Sequence, residues 1–299
     1  MKVLLATDGS EFSENAARFL TGLNWAPDDT ITLFHAIYEL PFRSDEEFHR
    51  KTLMAVKKEI APKIIDTAAD ILRSVSASVS GEIEESPAGH CEPDRCILDA
   101  ARSSAADLIV MGSRGIRGPA SMFLGSAARL VAIQSPVPVL VVKPRARAGG
   151  MMRILFATDG SDCSRITEQM LNRLPFADAA LTIAHVESSE FDDIPARYTK
   201  ELDEDTRRTV TEAIGKVHAA SKTLAAAAGE RLRGRFRNLQ SVSRTGDPSE
   251  SILSLAREGD FDVIAVGSRG LRGLQGMLGS VSRNILTHAD CAVLIGHGV

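Results

Sequence analysis

The sequence predicts an α/β protein built as two tandem domains, each a parallel sheet covered by helices on both faces. Three observations predict it. The chain repeats itself: Leu4–Ser10 reads LLATDGS and Leu155–Ser161 reads LFATDGS, while Asp107–Gly118 reads DLIVMGSRGIRG and Asp262–Gly273 reads DVIAVGSRGLRG. The matches keep their order and spacing, and so long a period marks a duplicated domain rather than a solenoid unit. Short apolar runs alternate with helical patterns in both halves, the order of right-handed βαβ units and a parallel sheet. Finally, 299 residues is the length of two domains of ~150 residues each.

The domains are expected at 1–144 and 151–299. Between them Lys143–Gly150 reads KPRARAGG, basic, with Pro and paired Gly and no hydrophobic period, and so reads as an exposed linker. In the first half the strands are expected at Lys2–Ala6, Thr30–Ile37, Ala77–Glu85 (weakly alternating, as an edge strand is), Leu108–Met111 and Val137–Val142. Ser10 or Ser13 caps a helix reaching about Asn24, and a long helical segment runs to about Arg73. Pro93 opens a helix to Ser103, and a last helix spans Ser121–Gln134. The second half repeats this, with strands near Arg153–Ala157, Leu181–Val186, Ser241–Arg244, Val263–Val266 and Ala292–Ile295, and a helix opened by Asp247-Pro248.

Composition narrows the function. The apolar fraction of 44% and charged fraction of 25% belong to an ordinary globular protein. A net charge of −4 gives no footprint for nucleic acid, and the run Arg231, Arg233, Arg235, Arg237 reads as a solvated turn and strand edge. Four cysteines in this length are no disulfide scaffold. No signal peptide and no membrane-spanning apolar stretch is seen, so a cytoplasmic protein without membrane contact is expected.

In open parallel sheets, ligands bind beyond the carboxyl ends of the strands. Thr7–Ser10 and Gly112–Gly118 both follow strand ends and so fall in that crevice. Gly112 and Gly115 are followed, nine residues later, by Gly125-Ser126. Glycines let backbone approach a ligand, successive N–H groups form an anion nest, and a helix start favours phosphate. Ser126 adds a hydroxyl, while Arg114 and Arg117 read as solvent-facing. Asp8 is placed to accept from ribose hydroxyls or to hold a metal riding on phosphates; alternatively it caps the next helix or turns the loop. GxxxxGK[ST] and a strand-following GxGxxG are absent, so the chain is neither a P-loop NTPase nor a dinucleotide-binding domain by motif.

The pattern G-x2-G-x9-G-[S/T] after the fourth strand, with an Asp after the first, resembles the universal stress protein family across nearly the whole chain, twice. The resemblance implies five-stranded domains of the adenine nucleotide hydrolase-like (Rossmann-like) type and, for the ATP-binding branch, ATP with or without Mg as cofactor. Carried over by position, it implies that Asp8 meets ribose and that Ile37 meets adenine through its backbone. Gly112, Gly115, Gly125 and Ser126 meet ribose and phosphates. The second-half set is Asp159, Val186, Gly267, Gly270, Gly279 and Ser280. Only eight residues separate Gly270 from Gly279, so one donor must move by ~3.5 Å unless the loop rearranges. The first half keeps the spacing but has Ala128 where the second has the hydroxyl of Ser282, and Pro119 stiffens its loop. The first half is expected to be the better site.

Other candidates read as structural. His35 and His185 sit at matching places on strand two as core or crevice-lining imidazoles. His90, Cys91 and Cys96 lack a completing ligand cluster, so no metal site is expected, and no catalytic residue is assigned. Asp94 and Asp99 read as solvated. The apolar last strands, Val137–Val142 and Ala292–Ile295, are expected to join the halves as an intramolecular pseudo-dimer, with pairing of whole chains into a homodimer a further expectation. The leading functional reading is a nucleotide-binding stress-response protein, at most a slow hydrolase. The alternatives are an ATP hydrolase or adenylyl-transfer enzyme, and a nucleotide-independent, chaperone-like interaction protein.

Overall fold

A computed structural model describes residues 1–38, 47–86, 92–115, 124–144, 151–176, 179–187, 203–236, 238–270 and 277–297. In the first half the elements are β1 (Lys2–Ala6), α1 (Glu11–Thr21), β2 (Thr30–Ile37), α2 (Glu47–Ile71), β3 (Ser78–Glu85), α3 (Pro93–Ser103), β4 (Leu108–Gly112), α4 (Ser126–Gln134) and β5 (Val139–Val142). The second half has β6 (Arg153–Ala157), α5 (Asp162–Arg173), β7 (Ala180–Glu187), α6 (Glu204–Leu232), β8 (Asn238–Thr245), α7 (Pro248–Glu258), β9 (Val263–Gly267), α8 (Ser280–His288) and β10 (Ala292–Gly296).

All ten strands form one sheet in the order β3-β2-β1-β4-β5-β10-β9-β6-β7-β8. Pairing is parallel within each half and antiparallel at the join, where Val141, Leu140 and Val139 face Val293, Leu294 and Ile295. The order reads the same from either end, so an approximate two-fold axis passes between β5 and β10. The apolar last strands thus tie the halves into the expected intramolecular pair. Residues 139–142 and 292–295 are at most 1% exposed. At ~1.5–3 kcal/mol per buried aliphatic side chain, parting the halves is costly.

Successive strand residues point to opposite faces. Leu5, Leu33 and Val110 pack under α1, whereas Leu4, Phe34 and Ile109 pack under α3 and α4. Both apolar layers run through the join: Leu140 and Leu294 lie in one, Val141 and Val293 in the other. The outer edges, β3 and β8, are largely exposed, and Glu82, Glu84 and Glu85 keep β3 charged, which discourages edge-to-edge pairing.

The structure revises two boundaries. The helix expected from Ser121 begins at Ser126 with Gly125 as its N-cap, and residues 116–123 lie outside the described set. Lys143, assigned to an exposed linker, is only 3% exposed. Its ammonium donates to Leu286 O at 2.8 Å, a carbonyl in the other half that local sequence cannot reveal.

Candidate nucleotide site

The first crevice begins where β1 ends. Thr7-Asp8-Gly9-Ser10 turns sharply, and Gly9 has φ +76°, a left-handed conformation that favours glycine. Ser10, not Asp8, caps α1, its side chain accepting from Ser13 N. Asp8 turns the loop instead: its Oδ1 accepts from Ser10 N at 3.0 Å and Ser10 Oγ at 2.6 Å.

The glycine loop arrives from β4. A Cβ on Gly112 would stand 2.5 Å from Phe12 O, so α1 and β4 meet backbone to backbone here. Ser113 fastens both ends of the loop: its N–H donates to Val142 O at 2.9 Å and its carbonyl accepts from Gly125 N at 2.7 Å. A Cβ on Gly115 would stand 2.5 Å from Asp8 Oδ2. The absence of a side chain at 115 is what lets the carboxylate lie against the loop. Gly125 supplies no side-chain cap, so the first amides of α4 are left to other acceptors, with Ser126 exposed beside them. Arg114 is half-buried, its guanidinium 4.9 Å from the Phe12 ring centroid, where a cation–π contact holds it; the expectation that it points to solvent is corrected. Arg117 and Pro119 lie outside the described residues.

The second crevice repeats these joints. Gly160 has φ +76° and Ser161 caps α5. Ser268 N donates to Gly296 O at 2.8 Å, Gly279 N donates to Ser268 O at 2.8 Å, and a Cβ on Gly270 would stand 2.8 Å from Asp159 Oδ2. Both ends of the shortened loop are therefore anchored as in the first half. The differences are local. Ser161 Oγ donates to Arg269 O at 3.2 Å, whereas Ser10 Oγ holds Asp8. Cys163 stands where Phe12 does and accepts from Ser268 Oγ at 3.5 Å. Ser282, counted as an extra donor, gives its proton to Gly267 O at 2.5 Å, so its hydroxyl is engaged by β9.

The Universal stress protein family model matches residues 1–143 and again 151–297. The chain belongs to the universal stress protein family. Among relatives, a Thermus aquaticus universal stress protein is 32% identical over 142 residues, 47% of this chain and 97% of its own. A universal stress protein of Mycolicibacterium smegmatis is 25% identical over 300 residues, 98% of this chain and 96% of its own. Among solved structures, a universal stress protein from Archaeoglobus fulgidus has a TM-score of 0.64 at 21% identity, covering 99% and 97% of the two chains, a likeness of fold.

The family resemblance pairs Ile37 with Val186, and the structure moves this by one residue. His35 Nδ1 lies 2.8 Å from Thr7 O and His185 Nδ1 lies 2.7 Å from Thr158 O, so these histidines correspond. Val186 then matches Ala36, and Ile37 matches Glu187. Along a parallel strand, the N–H and C=O of one residue point to the same neighbour and alternate residues switch sides. Phe34 O faces β1, accepting from Thr7 N, whereas Ile37 O faces β3, accepting from Ser86 N. Ala36 therefore turns its N–H and C=O to the β1 side, beyond the last β1–β2 pair at Ala6↔Phe34. In the second half Ala184 O accepts from Thr158 N and Glu187 O from Gly246 N, which leaves Val186 in that position. The crevice-facing backbone belongs to Ala36 and Val186. Aligning the two His-x pairs in the sequence is the signal that finds Ala36.

The remaining candidates fall into place around this universal stress protein frame. Because a carbonyl only accepts, Nδ1 of His35 and of His185 carries the proton, and both rings brace strand two against the turn. Asp94 is buried, not solvated, and burial raises its pKa above the usual carboxylate value. Arg231 forks onto Glu168 at 2.6 and 2.9 Å and Arg235 donates to Leu174 O, so this run serves local structure; Arg237 lies outside the described residues. His90 and Cys91 also lie outside them, and among the described residues no cluster of His, Cys, Asp and Glu could hold a metal. No described helix is long and apolar enough to cross a membrane.

Proposed function

We propose that this universal stress protein binds an adenine nucleotide, ATP foremost, and responds through its occupancy, with the first-half crevice as the principal site. The single observation that carries the reading is the contact of Asp8 Oδ2 with Gly115, in a loop that Ser113 closes onto the N-terminus of α4. The Asp8 turn and, more than a hundred residues later, the glycine loop with the start of α4 thereby converge on one crevice.

In this reading Asp8 accepts from the ribose hydroxyls with Oδ2, its Oδ1 being engaged by Ser10. Ala36, in place of Ile37, offers one N–H and one C=O to the adenine edge, which itself presents a donor and acceptors. Gly112, Gly115 and Gly125 admit the sugar and phosphates to the backbone, and the first amides of α4 with the Ser126 hydroxyl take the phosphate oxygens. With Asp8 assigned to ribose, a magnesium ion accompanying the nucleotide would be held by phosphate oxygens and water, neutralising phosphate charge. Asp159, Val186, Gly267, Gly270, Gly279 and Ser280 form the second, weaker copy, whose loop is one residue shorter. These groups hold charge and shape rather than move protons, so occupancy is the output and turnover is slow.

The test is to denature the purified protein and identify what it releases by mass spectrometry, then to titrate it with ATP. Release of ATP or ADP, or saturable ATP binding by emptied protein, is expected. No released adenine nucleotide together with no binding on titration would overturn the reading. Rapid product formation on incubation with ATP would move the protein to the enzyme class.

A further inference from the structure

The two crevices share a joint. Val142 O receives Ser113 N of the first glycine loop, and Gly296 O receives Ser268 N of the second. The next residue in each case is buried: Lys143 is 3% exposed and His297 is 8% exposed. Both cross the two-fold axis. Lys143 Nζ donates to Leu286 O at 2.8 Å and reaches Thr287 O at 3.5 Å, in the last turn of α8. His297 lies beside the backbone of Ala132, in the last turn of α4, with its buried Nε2 unpartnered among the described residues. Leu286 and Ala132 are each the seventh residue after the N-cap glycine of their helix, so Lys143 and His297 occupy symmetry-related places, one hydrogen-bonded and one packed. Carbonyls in a helix's last turn have no partner within the helix, which is why a donor is needed there.

These contacts close a ring. The first loop leads through Val142-Lys143 to α8, whose N-cap, Gly279, is bonded to Ser268 of the second loop. That loop leads through Gly296-His297 to α4, whose N-cap, Gly125, is bonded back to Ser113. Each helix has nine residues, so it is only ~13 Å long and moves as a rod. Displacing its seated C-terminus displaces the phosphate end at its N-terminus.

We propose that Lys143 and His297 are reciprocal positioning residues that couple the two nucleotide crevices, each seating the phosphate-binding helix of the opposite half. The proposal rests on the nucleotide reading above. It assigns the second crevice a function even where its affinity is low, because binding in the first half is transmitted to α8 through Lys143. The two joints differ chemically. An ammonium bonds the α8 carbonyls and is favoured by the negative end of that helix, whereas an imidazole kept neutral by burial seats α4. By linkage, whatever the first site does to the second, the second does to the first, and a coupling of about five-fold in affinity is the scale to look for.

Amide hydrogen exchange on the full chain tests this, with and without saturating ATP, in a Gly270→Val background that closes only the second crevice. A Cβ there meets the side chain of Asp159 rather than backbone, so the variant is expected to fold. Slower exchange is expected in the first glycine loop and also in the last turn of α8. Adding Lys143→Met should keep the first effect and abolish the second; Lys143→Gln, which retains a shorter neutral donor, gives the same comparison should the Met variant fold poorly. The mirror experiment uses Gly115→Val with His297→Leu and reads α4. Protection confined to the first half while Lys143 is intact overturns the coupling and leaves nucleotide binding standing. Absence of protection in the first loop overturns both.

Discussion

The two crevices share a frame and differ in what fills it. Turn, cap, histidine brace and loop anchors recur: Ser113 and Ser268 make matching bonds, as do His35 and His185. The departures are Phe12 against Cys163, Ile37 against Glu187, Ala128 against Ser282, and one residue fewer in the second loop. Duplication preserved the residues that hold backbone to backbone, where a shift would orphan buried polar groups. The departures are side chains packed around that frame and one residue of loop length. A shorter loop on unchanged anchors leaves the fold as it is and, under the proposed function, changes the grip on the nucleotide.

The largest expected effects lie at the two unlike joints. Burial lowers the Lys143 pKa to about 8, with Arg114 and Asp290 as its charged surroundings and the thiol of Cys291, itself pushed up to about 12 by burial, beside it. The unfolded chain keeps that proton up to the ordinary lysine value of 10.5, so between these values it binds more protons than the folded chain. Stability should rise with pH across that window, by up to ~3 kcal/mol, and Lys143→Met should remove the slope in urea titrations run at several pH values. Burial also lowers His297 to about 4 from 6.5, with Arg269 nearby. The same sign places its effect lower: stability should be lost as pH falls from 6.5 toward 4, and His297→Leu should flatten that acid limb. Identical pH profiles for the two variants would break the distinction between the joints.

Next in size, Gly112→Ala and Gly267→Ala should each cost ~2 kcal/mol, since their Cβ atoms would meet α1 and α5 backbone at 2.5 and 2.7 Å. Denaturant midpoints that shift unequally would mean that the two frames are less alike than their geometry. The smallest effect is Ser282→Ala, which removes the bond to Gly267 O and should cost ~1 kcal/mol. ATP affinity should not change, because the hydroxyl is turned into the protein; a weaker affinity would return Ser282 to the binding set.

Much of this was legible in the sequence. LLATDGS and DLIVMGSRG, read twice, placed the duplicated sheets, and Lys2–Ala6, Thr30–Ile37 and Pro93–Ser103 fall where periodicity and capping put them. The hidden features depend on direction or on distant partners. Ile37 ends strand two in the sequence pattern, but the side to which a strand residue turns its backbone depends on pairing register, which sets Ala36 toward the crevice. Lys143 reads as part of a basic linker because Leu286, its acceptor, lies 143 residues away. Asp94 and Arg114 look like surface charges until α3 and Phe12 close around them. The effect of the deleted loop residue was legible only as a count, and the anchors on either side explain why the fold tolerates it.

The most direct test is calorimetric titration of ATP into the unsubstituted chain, Gly115→Val and Gly270→Val. A side chain at either position meets the carboxylate of Asp8 or Asp159 and leaves the sheet intact. Expected is tight binding by the unsubstituted chain, its loss in Gly115→Val, and its survival in Gly270→Val with at most a several-fold change. Loss of binding only in Gly270→Val would contradict the ranking of the two crevices.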